Sequence, residues 1–543
     1  MFLDARAVDE GQTVRAGVCI IGGGVAGITL ALEFERQGID CVMLESGGFA
    51  PDEATRDLNR GDNVGLPYVF DDGCRTRCLG GSSNCWGGWC SPLRDLEMAQ
   101  RDWVPGSGWP FSASTLAPYY PRVHSMLRLG PVDYDIAGWV DAIGRHDVRR
   151  IPLRSGRVGD MVSQFSSPMR LGAVYRDELQ RAVHVRTLLH ANVVELHTDP
   201  SAQRVTRVAV RTLSGRSFDV EAKTFVLACG GIENARLLLA SNSTQATGLG
   251  NGHDLVGRYF ADHPRLSLGN VRFKRPWLRN KLYDVKFHYF NRAVKARGTY
   301  VAAQFVLAPE IQQQEQLLSS QLWFASRFPG EHTLAAEAIV RMKHRLHSKS
   351  DPAYGFWSDV ATMAMSPLNT AGFVAARLFQ PETLIKGVQI DVVCEPSLNR
   401  DSRVTLTDNR DALGMPRVRV DWRLGEDVKR TMDRSLQIFA DELRRADVAE
   451  VELPEKLQGK PWPHVPATPW HHMGTWHHMG TTRMHPSPTQ GVVDVNCKLH
   501  GVANLYVAGS SVFPTFGSNF PTFTIVALSL RLAELIGRQL AAV

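Results

Sequence analysis

Residues 17–45 read GVCIIGGGVAGITLALEFERQGIDCVMLE. An apolar run is followed by a glycine-rich turn, an amphipathic segment and a second apolar run. This order is typical of a strand–helix–strand unit. We therefore predict strands at 17–22 and 40–45, a helix at 25–37, and an α/β domain with parallel strands.

The turn of this unit matches the pattern GxGxxG at Gly22, Gly24 and Gly27. The first glycine permits the tight turn, the second lets a pyrophosphate approach the backbone, and the third lets the helix pack closely on the strand. The helix that begins at Val25 would offer N–H groups to the phosphates. Glu45 ends the next strand, where a carboxylate accepts hydrogen bonds from a ribose. The motif predicts a dinucleotide cofactor and does not separate FAD from NAD.

Length and charge set the class of protein. The chain has 543 residues, 44% of them hydrophobic and 21% charged, which predicts a globular protein of two structural domains. Lys and Arg number 61 and Asp and Glu number 55, so the net charge is +6. Over this length the bias is weak, and we expect no nucleic-acid partner.

The cysteines and the N-terminal residues predict the compartment. The nine cysteines are odd in number and the chain is long, so a disulfide framework is not expected. Residues 1–17 carry charges of both signs and do not resemble a signal peptide. No stretch approaches the roughly 20 apolar residues of a transmembrane helix. We expect a cytoplasmic protein.

Further strand and turn patterns occur later in the chain. Residues 204–228 predict two strands around the turn SGRS, and GGIENARLLLAS (230–241) predicts a glycine turn and a helix. Residues 504–541 predict a strand, a loop and a final helix, whereas 262–330 alternates polar and apolar residues as in a sheet. This order predicts a nucleotide-binding domain made of separated segments, with a second domain inserted between them.

Residues 331–380 permit two interpretations. They begin with the basic helix pattern EHTLAAEAIVRMKHRLHSK and continue with aromatic and aliphatic residues. A basic helix beside an apolar run is found at membrane surfaces, so peripheral membrane contact is one interpretation. The other, which we favour, is a helical cover packed on the second domain.

Several motifs occur in a characteristic order. After the glycine motif come RTRCLGGSSNCWGGWCSP (75–92), FVLACGGIENARLLLAS (225–241), EPSLNRDSRVTLTDNRDALGMP (395–416) and HHMGTTRM (477–484). Together they cover nearly the whole chain, which resembles the glucose–methanol–choline (GMC) family of FAD-dependent oxidoreductases. The bacterial branch that oxidises sugars and polyols is the most similar.

The resemblance implies an α/β fold class (α+β overall). A Rossmann-like FAD-binding domain would carry an inserted substrate domain, built on a mainly antiparallel sheet covered by helices. The FAD-binding domain is expected at 1–110, 185–262 and 480–543. The substrate domain is expected at 111–184 and 263–479.

The resemblance also implies which residues contact FAD. The loop at 80–85 would lie along the pyrophosphate or the flavin ring, and the start of the final helix would face the pyrimidine side of the flavin. The expected FAD-binding residues are Gly22, Gly24, Val25, Ala26, Gly27, Glu45, Gly80, Gly81, Ser82, Ser83, Asn84, Cys85, Val194, Gly509, Ser510, Pro521 and Thr522.

Residues 74–92, called the flavin loop below, contain cysteines that indicate whether FAD is bound covalently. Some relatives carry a histidine in this position that bonds covalently to the flavin, and here the residue is Cys85. We therefore expect non-covalent FAD. Cys74, Cys78, Cys85 and Cys90 are close in sequence, but their spacing fits no common metal-binding pattern, so no metal is expected.

Alcohol oxidation needs a base for the hydroxyl proton, and histidine suits this role because its pKa lies near neutral pH. The resemblance implies that the base is His477, three residues before the glycine of HHMGT, with His478 beside it. The sequence WHHMGT occurs twice, at 470–475 and 476–481, and only the second copy continues into TRM. We expect the first copy to form an extended, unanchored loop that brings His471 and His472 near the site as rivals.

The partner of the base departs from the family pattern. Relatives place His or Asn directly before the final Pro-Thr-x-Thr, where this chain has Phe520, with Asn519 one residue earlier. Either Asn519 reaches the substrate oxygen or the site works without this partner. His263 in ADHP is a further polar candidate, expected to be structural.

The expected function is FAD-dependent oxidation of a CH–OH group, on a sugar, polyol or glycoside, by hydride transfer to flavin N5 with His477 as general base. One alternative is a lyase or decarboxylase on the same scaffold. Another is a flavin-binding subunit that acts through a partner. The electron acceptor, whether oxygen, a quinone or a protein carrier, stays open.

Overall fold

The computed structural model describes residues 1–70, 73–145, 148–153, 155–166, 169–275, 278–284, 294–331, 333–347, 355–379, 384–463 and 473–542. The described strands form two large sheets and one small sheet. In chain order they are β1 Phe2–Asp4, β2 Thr13–Ile21, β3 Cys41–Leu44, β4 Gly61–Asn63, β5 Trp89–Cys90, β6 Val158–Phe165, β7 Val185–Leu189, β8 Asn192–Thr198, β9 Val205–Arg211, β10 Ser217–Leu227, β11 Arg265–Phe273, β12 Val294–Ala296, β13 Thr299–Leu307, β14 Ser320–Arg327, β15 Gly387–Cys394, β16 Arg403–Arg410, β17 Pro416–Asp421, β18 Ala449–Glu452 and β19 Leu505–Val507.

Helices connect and cover these strands. In chain order they are α1 Val25–Gln37, α2 Glu53–Asp57, α3 Asp95–Met98, α4 Tyr120–Leu127, α5 Ile136–Ile143, α6 Leu171–Val174, α7 Arg176–Arg181, α8 Glu233–Ala240, α9 Pro309–Gln314, α10 Leu334–His347, α11 Phe356–Met365, α12 Pro367–Phe379, α13 Glu426–Arg445 and α14 Thr522–Ala541.

The first sheet has the order β1–β7–β3–β2–β10–β9–β8, and β19 pairs with β10. Its centre is parallel, because β2 pairs in parallel with both β3 and β10. All of β3 and the second half of β2 are buried, as in strands covered on both faces. The predicted helix at 25–37 is confirmed as α1, and the two predicted strands beside it as β2 and β3.

Three neighbouring parallel strands of this sheet end at one edge. Gly22 directly follows β2, Gly230 comes shortly after β10, and Gly509 shortly after β19. Ligands of open α/β sheets bind beyond the carboxyl ends of the strands. The topology therefore brings three distant parts of the sequence to the edge where the glycine motif lies.

The second sheet has the order β18–β11–β15–β14–β13–β6–β5, with β12 on β13, and its strands pair antiparallel. Helix α13 covers one face, where the ring centre of Phe439 lies 4.4 Å from that of Phe305. Successive side chains of a strand point to opposite faces, so Trp323 on β14 lies on the other face from Phe324. There the Trp323 ring centre lies 5.6 Å from that of Trp89. This confirms the mainly antiparallel sheet and the mixed fold class.

The strands of each sheet can be compared with the expected domain boundaries. The strands of the first sheet come from 1–110, 185–262 and 480–543, as expected for the FAD-binding domain. Strand β5, from 1–110, pairs instead with β6 of the second sheet. Strand β4 from the same segment pairs with β17 in the small sheet. The domain boundaries themselves stay a prediction.

Helices α10, α11 and α12 leave the second sheet between β14 and β15 and pack on one another. Arg341 on α10 forms an ion pair with buried Asp359 on α11, at 2.7 Å. Their large exposed apolar side chains are Leu334, Trp357, Met365, Leu368, Val374, Leu378 and Phe379. Peripheral membrane contact through 331–380 stays a prediction. Among the described helices, none combines the length and the apolar character needed to cross a bilayer.

Candidate active site

The glycine motif forms the turn between β2 and α1. Gly22 has φ +112°, which favours glycine, and a Cβ on Gly27 would lie 1.9 Å from the carbonyl oxygen of Gly22. The third glycine is therefore required for the close packing of helix and strand. Gly24 is the N-cap of α1 and no side chain caps it, which leaves the N–H groups at Val25 and Ala26 without a side-chain cap.

The edge beyond this turn forms a glycine-lined groove. Cβ atoms placed on Gly230 and Gly509, which have φ +87° and +107°, would meet nothing within 4 Å. A Cβ on Gly24 would have its nearest neighbours at 4.0 Å. Backbone is thus open to close approach along the ends of β10, β19 and α1.

Glu45 lies at the end of β3 beside the motif and is almost fully buried. Its Oε2 accepts a hydrogen bond from the N–H of Gly23 at 2.8 Å, and its Oε1 accepts one from the N–H of Gly47 at 2.9 Å. Burial raises the pKa of Glu45 despite these two backbone hydrogen bonds. The carboxylate holds the turn in shape, and its contact with a ribose stays a prediction.

The loop at 80–85 lies directly on the glycine motif. The N–H of Gly80 donates to the carbonyl of Gly23 at 2.8 Å, and a Cβ on Gly81 would lie 2.9 Å from the Cα of Gly24. Ser82, Ser83 and Asn84 donate their side-chain hydrogen bonds to carbonyls at 74, at 80, and at 79 and 81. These side chains shape the loop, and their expected contacts with FAD stay a prediction.

The cysteines of this region differ in their exposure to solvent. Cys85 is exposed, whereas Cys74, Cys78 and Cys90 are buried. Burial raises the pKa of Cys78 to about 12, so that thiol stays protonated at neutral pH.

A buried ionic network anchors the flavin loop, and the sequence patterns did not reveal it. Glu233 at the start of α8 pairs with Arg75 and Arg77, each at 2.8 Å. Arg236, one turn further, pairs with Asp411 at 2.7 Å. Burial opposes ionisation of Glu233, but Arg77, Arg236 and Arg75 outweigh it and lower its pKa to about 2. Arg75 and Arg77 are visible in the sequence motif, but their partner Glu233 lies more than 150 residues further along the chain.

The roles of the remaining cofactor candidates, Val194, Ser510, Pro521 and Thr522, stay a prediction. Val194 is buried on β8, and β8 begins near Ala191, whose N–H donates to the carbonyl of Glu45. Ser510 donates its hydroxyl to the carbonyl of His478 at 2.6 Å. Pro521 and Thr522 form the start of α14, which has no side-chain cap. This second uncapped helix N-terminus suits a group that becomes negatively charged.

Asp262 organises the segment that carries the histidines. Its carboxylate is fully buried and accepts hydrogen bonds from the backbone N–H groups of Thr475, Trp476 and His477 and from Tyr68 Oη, at 2.6–3.0 Å. A Cβ on Gly474 would lie 2.4 Å from an Asp262 oxygen, so this approach requires glycine.

The expectation that the first WHHMGT copy is an unanchored loop is therefore wrong for its last three residues, which are anchored although they form no helix or strand. Met473 accepts a hydrogen bond from the N–H of Arg265, Gly474 packs on Asp262, and Thr475 donates its hydroxyl to the same carboxylate. The sequence could not show this anchoring, because Asp262 lies more than 200 residues away. His471 and His472 lie outside the described residues.

His477 lies in the segment that Asp262 anchors, beside His263 and Phe520. Its Nδ1 is 2.9 Å from Nδ1 of His263 and 2.9 Å from Oγ1 of Thr475. The residue is partly exposed. Burial, together with the nearby His263 and His478, lowers the pKa of His477 to about 3 although Asp262 raises it.

His478 points elsewhere. Its ring stacks on Phe260 with centres 6.0 Å apart and meets Tyr68 edge-on. Burial lowers its pKa to about 4, although Asp262 opposes the shift. A Cβ on Gly231 would lie 2.2 Å from the His478 carbonyl, so this residue packs tightly under the groove.

Asn519 and Phe520 precede α14. Asn519 donates from Nδ2 to the carbonyl of Pro92 at 2.5 Å, and its buried Oδ1 has no partner among the described residues. The ring centre of Phe520 lies 4.9 Å from that of His477 and 5.2 Å from that of Trp89. The position expected to supply a polar partner instead places an aromatic wall beside His477.

Among the described residues, Asp262, His263 and His477 are close enough together to surround a cation. However, both Asp262 oxygens already accept hydrogen bonds from backbone N–H groups. His263 Nε2 is likewise bonded to the Gly517 carbonyl, at 2.9 Å. This arrangement fits a hydrogen-bond network better than a metal centre.

Comparisons with known proteins agree with this geometry. The family model for the C-terminal part of GMC oxidoreductases matches residues 399–529. The chain is 25% identical to 6'''-hydroxyparomomycin C oxidase from Streptomyces lividus, over 97% of this chain and 92% of that protein. It is 26% identical to the fructose dehydrogenase large subunit from Gluconobacter japonicus, over 64% of this chain and 53% of that subunit.

The C-terminal part of the chain, residues 399–529, thus matches GMC oxidoreductases, and the chain as a whole is similar to named oxidases and dehydrogenases. It is an FAD-dependent oxidoreductase that acts on CH–OH groups. Formate oxidase from Aspergillus oryzae shares the fold of this chain, with a TM-score of 0.55 at 17% identity over 98% of this chain and 100% of that chain. The residues present fit FAD, because Gly24, Gly230 and Gly509 leave open space for close approach to the backbone and the N-termini of α1 and α14 have no side-chain cap.

We predict that Glu45→Ala weakens FAD retention more than it alters chemistry. A hydrogen bond to a charged acceptor contributes about 1.5–3 kcal/mol. The measurement is the FAD content after dialysis, with Glu450→Ala, exposed on β18, as the control. Unchanged occupancy in Glu45→Ala would show that Glu45 is not at the ribose.

We also predict that FAD is bound non-covalently, because Cys85 stands where some relatives carry a linking histidine. Acid precipitation should release all the yellow colour to the supernatant. Flavin that stays on the denatured wild-type chain but is released from Cys85→Ser would instead demonstrate a cysteinyl link.

Proposed function

We propose that this oxidoreductase oxidises an alcohol group of a polyhydroxylated substrate, such as a sugar, polyol or glycoside, with His477 as general base. One observation carries the proposal. Asp262 fixes the backbone N–H of His477, Thr475 and His263 contact the ring at Nδ1, and the ring packs on Phe520, directly before the uncapped N-terminus of α14.

FAD, His477 and Asp262 would have separate roles in the reaction. FAD, when bound, supplies the hydride acceptor for the carbon that carries the hydroxyl. His477 takes the hydroxyl proton, so that the alcohol becomes a carbonyl compound and the proton stays on the imidazole. Asp262 lies behind the ring and favours the charge that the imidazole then carries.

The names of related proteins support the substrate class. They include paromamine 6'-oxidase from Streptomyces fradiae, which is 23% identical over 96% of this chain, and 2-methyl-1,2-propanediol dehydrogenase from Mycolicibacterium austroafricanum, 25% identical over 97%. One is named for oxidation of paromamine and the other for dehydrogenation of a diol. Asn519, with its buried and unpartnered Oδ1, is the second candidate for contact with a substrate oxygen.

The two alternatives make different demands. A lyase or decarboxylase would complete its reaction without net reduction of the flavin. A flavin-binding subunit without its own catalysis would not need His477 to be fixed on several sides. Neither alternative has an observation in its favour that alcohol oxidation lacks. Anaerobic mixing with a panel of sugars, polyols and simple alcohols tests them, since only oxidation of the added alcohol bleaches the flavin.

We predict that His477→Ala lowers the rate of flavin reduction by about 10²–10⁴-fold, the usual contribution of a general base, while FAD stays bound. His471→Ala is the matched variant from the first WHHMGT copy and should have a much smaller effect. Stopped-flow reduction with a substrate identified in the panel measures both. A larger defect in His471→Ala would reassign the base.

The same measurement has an expected pH dependence. Burial lowers the pKa of His477 to about 3, so the ring is unprotonated and able to accept a proton throughout the neutral range. The rate of reduction should stay level as the pH falls from 8 to 5 and decline only under more acidic conditions. A decline centred near the ordinary histidine pKa of about 6.5 would contradict this.

A further inference from the structure

His263 is fully buried at the end of the ADHP segment, and both of its ring nitrogens have partners. Nε2 lies 2.9 Å from the carbonyl oxygen of Gly517, and Nδ1 lies 2.9 Å from Nδ1 of His477. A carbonyl oxygen only accepts hydrogen bonds, so His263 Nε2 must carry a proton. In the neutral ring, Nδ1 then holds a lone pair that faces His477.

The Gly517 carbonyl is held in place by buried carboxylates. The N–H of Gly517 donates to Glu395 at 3.3 Å, and the N–H of Ser518 donates to Glu97 at 2.9 Å. Glu395 is itself paired with buried Arg101 at 2.6 Å. Gly517 has φ +59°, and a Cβ there would lie within 3.0 Å of the Glu97 side chain. The acceptor that sets the protonation of His263 is therefore rigid.

Thr475 gives an independent indication of the tautomer of His477. Its hydroxyl has one proton, and the nearby Asp262 carboxylate, 2.9 Å away, only accepts. The His263 carbonyl, 3.2 Å away, also only accepts. When the hydroxyl proton goes to either of these acceptors, Thr475 Oγ1 presents a lone pair to His477 Nδ1, also at 2.9 Å. Both neighbours of His477 Nδ1 are acceptors, so the proton of the neutral ring lies on Nδ1 and the lone pair lies on Nε2.

We propose that His263 is the positioning residue of the catalytic base, holding the Nδ1–H of His477 so that Nε2 is the atom that takes the substrate proton. This inference rests on the proposed function. The hydroxyl proton moves to Nε2 while the hydride goes to FAD. The Nδ1 proton stays on His477, bonded to His263 and Thr475. His263 thus orients the ring from behind, in a site where position 520 offers no polar partner.

The surroundings favour the neutral form of His263, whose Nδ1 can accept a hydrogen bond from His477. Burial lowers its pKa, although the nearby Asp262, the bond to the Gly517 carbonyl, and the carboxylates of Glu395 and Glu97 oppose the shift. A neutral ring is required, because a doubly protonated His263 would present an N–H to the N–H of His477.

Two variants of His263 separate its two hydrogen bonds. His263→Asn places an amide oxygen near the position of Nδ1 and keeps an acceptor for His477. His263→Gln extends its amide toward Gly517 and keeps only the other bond. We expect His263→Gln to lower the rate constant of flavin reduction by roughly 10–100-fold, by analogy with the hydrogen-bond partners that orient metal-binding histidines, with little change in substrate affinity. His263→Asn should stay close to wild type.

A merely structural role would give a different pattern. His124 is a buried histidine with both ring nitrogens bonded, to the carbonyl of Gly130 and to Tyr134 Oη, and His124→Gln is the matched control. It should lower the melting temperature without lowering the reduction rate. Equal losses of rate in His263→Asn and His263→Gln, or wild-type rates in both, would overturn the proposal.

The tautomer can also be measured in the wild-type holoenzyme, which keeps the proposal testable if the variants do not fold. Nitrogen NMR of ¹⁵N-histidine-labelled protein, with His477 assigned from His477→Ala, should show a protonated Nδ1 and an unprotonated Nε2. The reverse tautomer would overturn the proposal. If His477→Ala itself reduces flavin normally, the proposed function fails. If that variant is inactive but the His263 variants behave alike, only this inference fails.

Discussion

The carboxylate of Asp262 is the interaction on which the catalytic segment depends. It is fully buried and accepts hydrogen bonds from successive backbone N–H groups at Thr475, Trp476 and His477. A buried carboxylate without such donors would be strongly unfavourable, and each charge-assisted bond contributes about 1.5–3 kcal/mol. The chain therefore wraps around the carboxylate, and Trp476 adopts φ +65°, a conformation that non-glycine residues hold only when the surroundings require it.

Buried carboxylates fix other parts of the groove in the same way. Glu233 holds the arginines of the flavin loop, and Glu97 and Glu395 hold the backbone that leads to α14. Each of these charges is matched by cations or backbone donors, so removing one partner would leave an uncompensated charge. The site is built on loops. Hydrogen bonds and ion pairs to these carboxylates restrict the movement of the loops.

Sequence periodicity and spacing predicted the local elements well. The helix at 25–37, its two strands and the final helix follow from apolar patterns within short windows, and α1 has the predicted bounds. The anchored state of residues 473–475 was not predictable, because it depends on Asp262, more than 200 residues away. The same holds for the contact between His263 and His477, and for the Arg75 and Arg77 pairs with Glu233. Short-range patterns carry no information about such pairs.

Phe520 and His263 contact His477 in different ways, one with an aromatic ring and the other with a polar nitrogen. Its ring packs against His477 and Trp89, on the aromatic face of the second sheet. An aromatic group in this place cannot accept or donate a hydrogen bond to a substrate hydroxyl, so it contributes shape and the exclusion of water instead. The polar contact that orients the imidazole then has to come from the other side of the ring, where His263 and Thr475 supply acceptors at 2.9 Å. On this proposal the site keeps a single basic nitrogen toward the substrate, and the apolar wall beside it strengthens the interaction between that nitrogen and the hydroxyl proton by lowering the local dielectric constant.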